Sequence, residues 1–174
     1  MDVSPPAAPP HAADEADAPD PLDAQLYQRP GFLLRRAHQL SVGLFEEQCR
    51  ALALTPPQYG VLIIVSHVEG CDQATVARAL GFDRVTTLRI VRGLLARGLL
   101  RSSPSSADAR RVQLNLTAPG RATLDQARAL AAGVTRRLMA PLDEAEQQTL
   151  QHLLHKLCTG LEDQARTRLL PPTR

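Results

Sequence analysis

The 174-residue sequence predicts a mainly helical fold with one small β-hairpin, on three observations. Beyond Pro30, apolar residues recur at helical spacing, in runs that a Thr or Asp opens and a Gly or Pro closes. Between Leu99 and Leu116 that spacing falls to an alternation of two. A content of 44% hydrophobic and 22% charged residues suits one soluble domain, and no stretch approaches the ~20 uncharged apolar residues of a membrane span.

The opening MDVSPPAAPPHAADEADAPDP holds six prolines and almost nothing large and apolar. Too little surface can be buried there to offset its ordering entropy, so residues 1–21 read as a disordered acidic tail. A first helix is predicted over 30–52, with Leu34, Ala37, Ser41, Leu44, Phe45 and Gln48 on one side. Thr55-Pro-Pro-Gln58 is a strong start signal: a Thr N-cap, Pro at the first helical position and a Gln placed to reach back. The helix it opens, 56–68, is nearly all apolar and belongs in the core. Asp72 caps a short helix, Gln73–Leu80, which Gly81 stops; Asp83 caps the next, Arg84–Arg97, which Gly98 stops.

Leu99–Ser103 and Arg111–Leu116 form the hairpin, with Val112, Leu114 and Leu116 on one face and Pro104–Ala109 as its polar tip. Thr117 and Pro119 open a long helix, 118–139, which Pro141 ends. Asp143-Glu-Ala-Glu146 then starts a last helix carrying Leu150, Leu153, Leu154, Leu157, Cys158 and Leu161. That stripe is narrow and continuous, and it calls for a partner helix.

Two short helices joined by Gly81-Phe-Asp83 and followed by a hairpin make a helix-turn-helix with a wing. On a helical wheel Thr87, Leu88, Ile90, Val91, Leu94 and Leu95 face inward, and Val85, Thr86, Arg89, Arg92, Gly93 and Ala96 face outward. Small side chains and long arginines near the N-terminus let such a helix enter a major groove, Arg89 reaching a phosphate or a guanine edge. Net charge supports this. Residues 1–29 balance at −5 and the remainder at +7, and the span from Asp83 to Arg121 carries +6 through Arg84, Arg89, Arg92, Arg97, Arg101, Arg110, Arg111 and Arg121. A polyanion is the natural partner. At the hairpin tip Asp108 is placed to orient Arg110, beside Arg111, toward a minor groove.

Enzymatic classes are disfavoured, since GxGxxG, Walker, HExxH and GxSxG motifs are all missing. No cofactor and no metal are expected: His152 and His155 lack a third ligand, and Cys49, Cys71 and Cys158 lack ligand spacing and read as inert packing. Acids in the first thirty residues argue against an export signal, so a cytoplasmic protein is expected, with no membrane partner.

Leu54-Thr-Pro-Pro-Gln-Tyr-Gly-Val-Leu62, Ala77-Arg-Ala-Leu-Gly-Phe-Asp-Arg-Val-Thr-Thr-Leu-Arg89, Leu94-Leu-Ala-Arg-Gly-Leu-Leu100, Asp108-Ala-Arg-Arg and Leu116-Thr-Ala-Pro-Gly120 together resemble the successive signatures of the MarR family of bacterial transcriptional regulators. The likeness extends over about 30–165. It implies a homodimer of winged helix-turn-helix subunits, joined through the first and last two helices, that binds a pseudo-palindromic operator in double-stranded DNA and releases it on binding a small molecule. Carried over, Arg84, Val85, Thr86, Arg89, Asp108, Arg110 and Arg111 are the expected DNA contacts, with Val85 standing where the family often has Ser. Leu150, Leu153, Leu154, Leu157 and Leu161 are the expected dimer seam.

The stretch Arg29–Gln39 is similar to the first helix of a branch governing aromatic-compound catabolism. Arg35, His38 and Gln39, with Tyr59 and His67, are the expected contacts of an aromatic carboxylate effector. The resulting divisions are the tail (1–21), an N-terminal dimerisation helix (22–54), the winged helix-turn-helix (55–117), C-terminal dimerisation helices (118–165) and a flexible tail (166–174). Alternative readings are a thiol-based redox-sensing repressor and a winged-helix module for protein contacts.

Overall fold

The computed structural model describes residues 25–104 and 112–172. They divide into two units between His38 and Gln39, inside helix α1 (Pro30–Gln48). In the first unit Tyr27 meets Phe32 edge to face at 5.0 Å, and the Arg35 guanidinium lies 4.8 Å from the Phe32 ring centre.

In the second unit, α1 buries Phe45 and leads to a fully buried Cys49. The sequence expects this helix to continue to residue 52. It ends at Gln48 instead and tightens into a 3-10 turn, Arg50–Leu52, after which Ala53 takes the left-handed φ of 45°. Two strong bonds hold this corner: Arg97 Nη1 donates to the Ala53 carbonyl and Nη2 to the Leu52 carbonyl, both at 2.7 Å. Helix α2 (Pro56–His67) starts on the expected capping box, with the Gln58 amide donating to Thr55 Oγ1 and the Thr55 amide to Gln58 Oε1. It buries Val61, Leu62 and Val65 at the centre of the core.

Helix α3 (Gln73–Leu80) is capped by Asp72 and stopped at Gly81, whose φ of 65° a side chain would resist. Helix α4 (Arg84–Ala96) is capped by Asp83: Oδ1 accepts from the Thr86 amide at 2.8 Å and Oδ2 from the Thr86 hydroxyl at 2.7 Å. Those donors, the amide first, hold the Asp83 carboxyl below the usual carboxylate range. The inward arc is as expected, with Thr87, Ile90, Val91 and Leu94 buried.

Strands β1 (Leu100–Pro104) and β2 (Val112–Leu116) pair antiparallel, Leu100 opposite Leu116 and Pro104 opposite Val112. Strand β1 starts one residue later than expected because the Leu99 amide still donates back to the Leu94 carbonyl, closing the end of α4. Leu114 and Leu116 are buried but Val112, on the same face, is exposed, since the end of β2 toward the hairpin tip runs past the core. Cys71 adds a bridge to Leu114, whose amide donates to the Cys71 carbonyl at 2.8 Å.

Helix α5 (Ala118–Met139) begins at Thr117, whose hydroxyl accepts from the Gly120 amide at 3.0 Å and donates to the Gly98 carbonyl at 2.7 Å. Gly120 seats against the Leu99 backbone so closely that a Cβ there would overlap the carbonyl oxygen. Helix α6 (Glu144–Gly160) has the Asp143–Glu146 capping box and no buried residue. A 3-10 turn, Glu162–Gln164, follows it. In the segment expected as a flexible tail, Arg168 pairs with Asp163 at 2.8 Å, Glu162 accepts from the Leu169 amide, and the Leu170 amide donates to the Arg78 carbonyl at 2.8 Å.

Gly120→Ala should destabilise the protein by about 3 kcal/mol, as overpacking against a backbone atom that cannot retreat; a urea midpoint equal to wild type would contradict the close seat. The Asp83 cap is present at neutral pH and is lost as pH falls through the depressed pKa of the folded state. The Thr86 amide resonance should therefore titrate below the range of an ordinary aspartate, and Asp83→Ala should lower the thermal midpoint.

Candidate nucleic-acid interface

The outward arc of α4 carries Arg84, Val85, Thr86, Arg89 and Arg92. Val85 is 78% exposed, the largest exposure among the exposed large apolar residues described. Arg84, Arg89 and Arg92 are exposed, and among the described residues no hydrogen bond or ion pair holds any of them. Three guanidinium groups and an apolar tip thus stand on a helix whose opposite side is locked into the core. A major groove admits such a helix, and a guanidinium with all five donors open suits phosphate or the O6/N7 edge of guanine. Thr86 differs from its neighbours: it is partly buried and its hydroxyl proton is committed to Asp83. What it can offer a base is a methyl group and an acceptor.

The basic span does not act as one surface. Arg97 and Arg121 donate to backbone carbonyls, Arg121 Nη1 to Leu116 at 3.2 Å, so part of the positive charge between Asp83 and Arg121 serves the fold. Sequence reasoning missed the role of Arg97 because its partners lie 44 and 45 positions away, and no local pattern announces such a bond. Asp108, Arg110 and Arg111 lie outside the described residues, between the two paired strands β1 and β2.

Of the expected effector contacts, Arg35 and His38 belong to the first unit, and Gln39, Tyr59 and His67 to the second. Arg35, His38 and Gln39 are exposed on α1. Tyr59 is partly buried with its ring 5.4 Å from that of Phe45. Burial pushes its phenol up, and the Arg128 charge pulls the other way. The His67 ring nitrogen Nδ1 is 2.9 Å from the Ile63 carbonyl, a contact that only a protonated Nδ1 satisfies. The expected dimer residues are all exposed in the single chain: Leu150 37%, Leu153 54%, Leu154 38%, Leu157 44% and Leu161 46%.

Burial raises the thiol pKa of Cys49, and that of Cys71 is pushed up to about 11, while Cys158 is exposed. A thiol held protonated at neutral pH is a poor nucleophile, which weighs against Cys49 or Cys71 as a peroxide sensor. Among the described residues no three His, Cys, Asp or Glu side chains gather as a metal site, and no helix is long and apolar enough to cross a membrane.

A MarR family model matches residues 54–111, from the end of the α1–α2 corner to the residue before β2. The chain is 32% identical over 146 residues to the HTH-type transcriptional repressor NicR of Pseudomonas putida, covering 82% of this chain and 92% of that one. Two solved structures are also similar. One is that of Bordetella bronchiseptica BpsR, whose DNA binding is regulated by 6-hydroxynicotinic acid, with a TM-score of 0.71 and 32% identity over 75% of this chain and 94% of that one. The other is the transcriptional repressor CouR bound to a 23-mer DNA duplex, with a TM-score of 0.72 and 30% identity over 77% and 95% of the two chains. With an α4 that buries one side and frees its arginines on the other, and with this likeness extending over most of its length, the chain belongs to the MarR family of DNA-binding transcriptional regulators, and it is not an enzyme.

Proposed function

We propose that the protein is a homodimeric repressor that leaves a pseudo-palindromic operator when a small aromatic carboxylate binds. The guanidinium groups on α4, without a partner among the described residues, carry the DNA half of this reading. Arg84, Val85, Thr86 and Arg89 enter the major groove, and Asp108, Arg110 and Arg111 serve the wing, with Arg110 in the minor groove. Val85 suits a thymine methyl, for which a hydroxyl would be the poorer partner.

The leucine stripe of α6 supports the dimer. Leu150, Leu153, Leu154, Leu157 and Leu161 form an apolar seam too continuous to be left in water, and a second copy supplies its cover. Two recognition helices then stand about one helical turn of DNA, ~34 Å, apart.

The effector half is supported by BpsR, a relative regulated by an aromatic acid. Arg35 supplies the cation for a carboxylate, and His38, Gln39, Tyr59 and His67 supply polar contacts. An effector that favours a different spacing of the two lobes lowers operator affinity by its differential binding, and a hundredfold change needs only ~2.7 kcal/mol.

The experiment is operator binding by the full chain with and without 6-hydroxynicotinate and related aromatic acids. Release by an acid supports the reading; indifference to all of them removes its effector half. Arg89→Ala should cost about 1–3 kcal/mol of operator affinity while the dimer persists on sizing; undiminished affinity would remove Arg89 from the contact surface. Affinity should fall steeply with salt as counterions are released. Leu154→Asp should yield monomers, and a dimer of wild-type stability would place the seam elsewhere.

A further inference from the structure

We infer that the segment beyond α6, residues 165–172, is a further part of the DNA-contacting surface, and that Arg166 on it meets the sugar-phosphate backbone. The inference rests on α3 and α4 facing DNA, as the repressor reading has them. Three bonds stitch this strap down. Arg168 pairs with Asp163 at 2.8 Å, Glu162 accepts from the Leu169 amide, and the Leu170 amide donates to the Arg78 carbonyl at 2.8 Å. That carbonyl lies in the last turn of α3, where carbonyls need donors from outside the helix. The Leu169 side chain rests beside the bend, 3.7 Å from where a Cβ on Gly81 would sit. Leu169 and Leu170 are 45% and 54% exposed, so the strap lies on the surface and keeps an outer side for a partner.

The strap borders a groove of about 710 Å³ between α3, the start of α4 and β2. Thr167 forms part of its lining, with Arg78 of α3 and Arg84 of α4, and Ala77, Phe82 and Val112 make much of the rest apolar. Cations with apolar surface among them suit a chain of phosphates joined by deoxyribose.

Charge decides the occupant. Residues 165–174 include three arginines and no acid. Asp72 and Asp83, the two carboxylates of the groove, are turned onto their own helix starts: Oδ1 of Asp72 accepts from the Thr75 amide and Oδ1 of Asp83 from the Thr86 amide, both at 2.8 Å. Arg78 Nη2 donates to Thr75 Oγ1 at 3.3 Å. Arg84 and Arg166 are exposed, and among the described residues no hydrogen bond or ion pair holds either. A segment built to close this groove against DNA would bring acids to its arginines. This one brings another cation, and like charges gathered in one place repel until an external anion lies among them. A row of phosphates is that anion. The contact is blind to base sequence, so it sets affinity and register while α4 does the reading.

The test measures binding of the full chain, Arg166→Gln and Leu170→Pro to two mixed-sequence DNA duplexes of different base order, over a series of salt concentrations. Arg166→Gln should weaken both duplexes alike, by about threefold or more, and lower the slope of log affinity against log salt by about one per subunit. Its thermal midpoint should match wild type, because the substitution breaks no hydrogen bond or ion pair among the described residues. Leu170→Pro removes the amide that reaches Arg78, so it should lose the same slope with Arg166 intact, and the double variant should lose no more than either alone. Wild-type affinity and slope in Arg166→Gln, while Arg89→Ala binds more weakly, overturn this inference and leave the repressor reading standing. Leu170→Pro that binds as well as wild type or better also overturns it, since the strap would then be idle or a cover over the groove. A wild-type chain that holds neither duplex removes the repressor reading as well.

Discussion

The joint on which the molecule turns is the contact of Leu99 with Thr117 and Gly120. The Thr117 amide and hydroxyl bond to the carbonyls of Leu99 and Gly98, and Gly120 lets the first turn of α5 press against that backbone. Recognition helix, wing and α5 therefore share one rigid knuckle. Leu99 ends the connection from α4, its successor begins β1, and Thr117 both closes β2 and caps α5. A tilt of α5 carries α4 and the wing with it, because no compliant loop lies between them. This makes a change of geometry among the helices into a change of geometry on DNA, with backbone hydrogen bonds as the lever.

Around that joint the arginines divide by job. Arg84, Arg89 and Arg92 have no protein partner among the described residues and stand on the exposed side of α4. Arg97 and Arg121 are bonded to main-chain carbonyls and keep α4 tied to the α1–α2 corner and α5 tied to β2. Charge counts alone merge these groups. An isolated guanidinium in solvent contributes little to stability, so its presence on α4 is better explained by an external anion than by the fold. The Arg97 latch has another effect: it holds Ala53 in a left-handed conformation that costs an L-residue about 1 kcal/mol or more.

Local signals made most of the fold readable. The Thr55, Asp72, Asp83, Thr117 and Asp143 caps each act within three residues, so the starts of α2 to α6 fall where the sequence puts them. The exposure of Val85 and Arg89 against the burial of Ile90 and Val91 follows from the 3.6 period in the same way. What escaped was set by partners far away in the chain. The stop of α1 at Gln48 depends on the burial of Cys49 and on Arg97. The bridge from Cys71 to Leu114 rests on one residue, too short for an alternating pattern.

The end of the chain has a practical bearing on how the protein is handled. The Leu170 amide is bonded to the last turn of α3, and the Leu169 side chain reaches 3.7 Å from where a Cβ on Gly81 would sit, at the bend between α3 and α4. Bulky cargo carried close behind Leu170 would therefore crowd that bend.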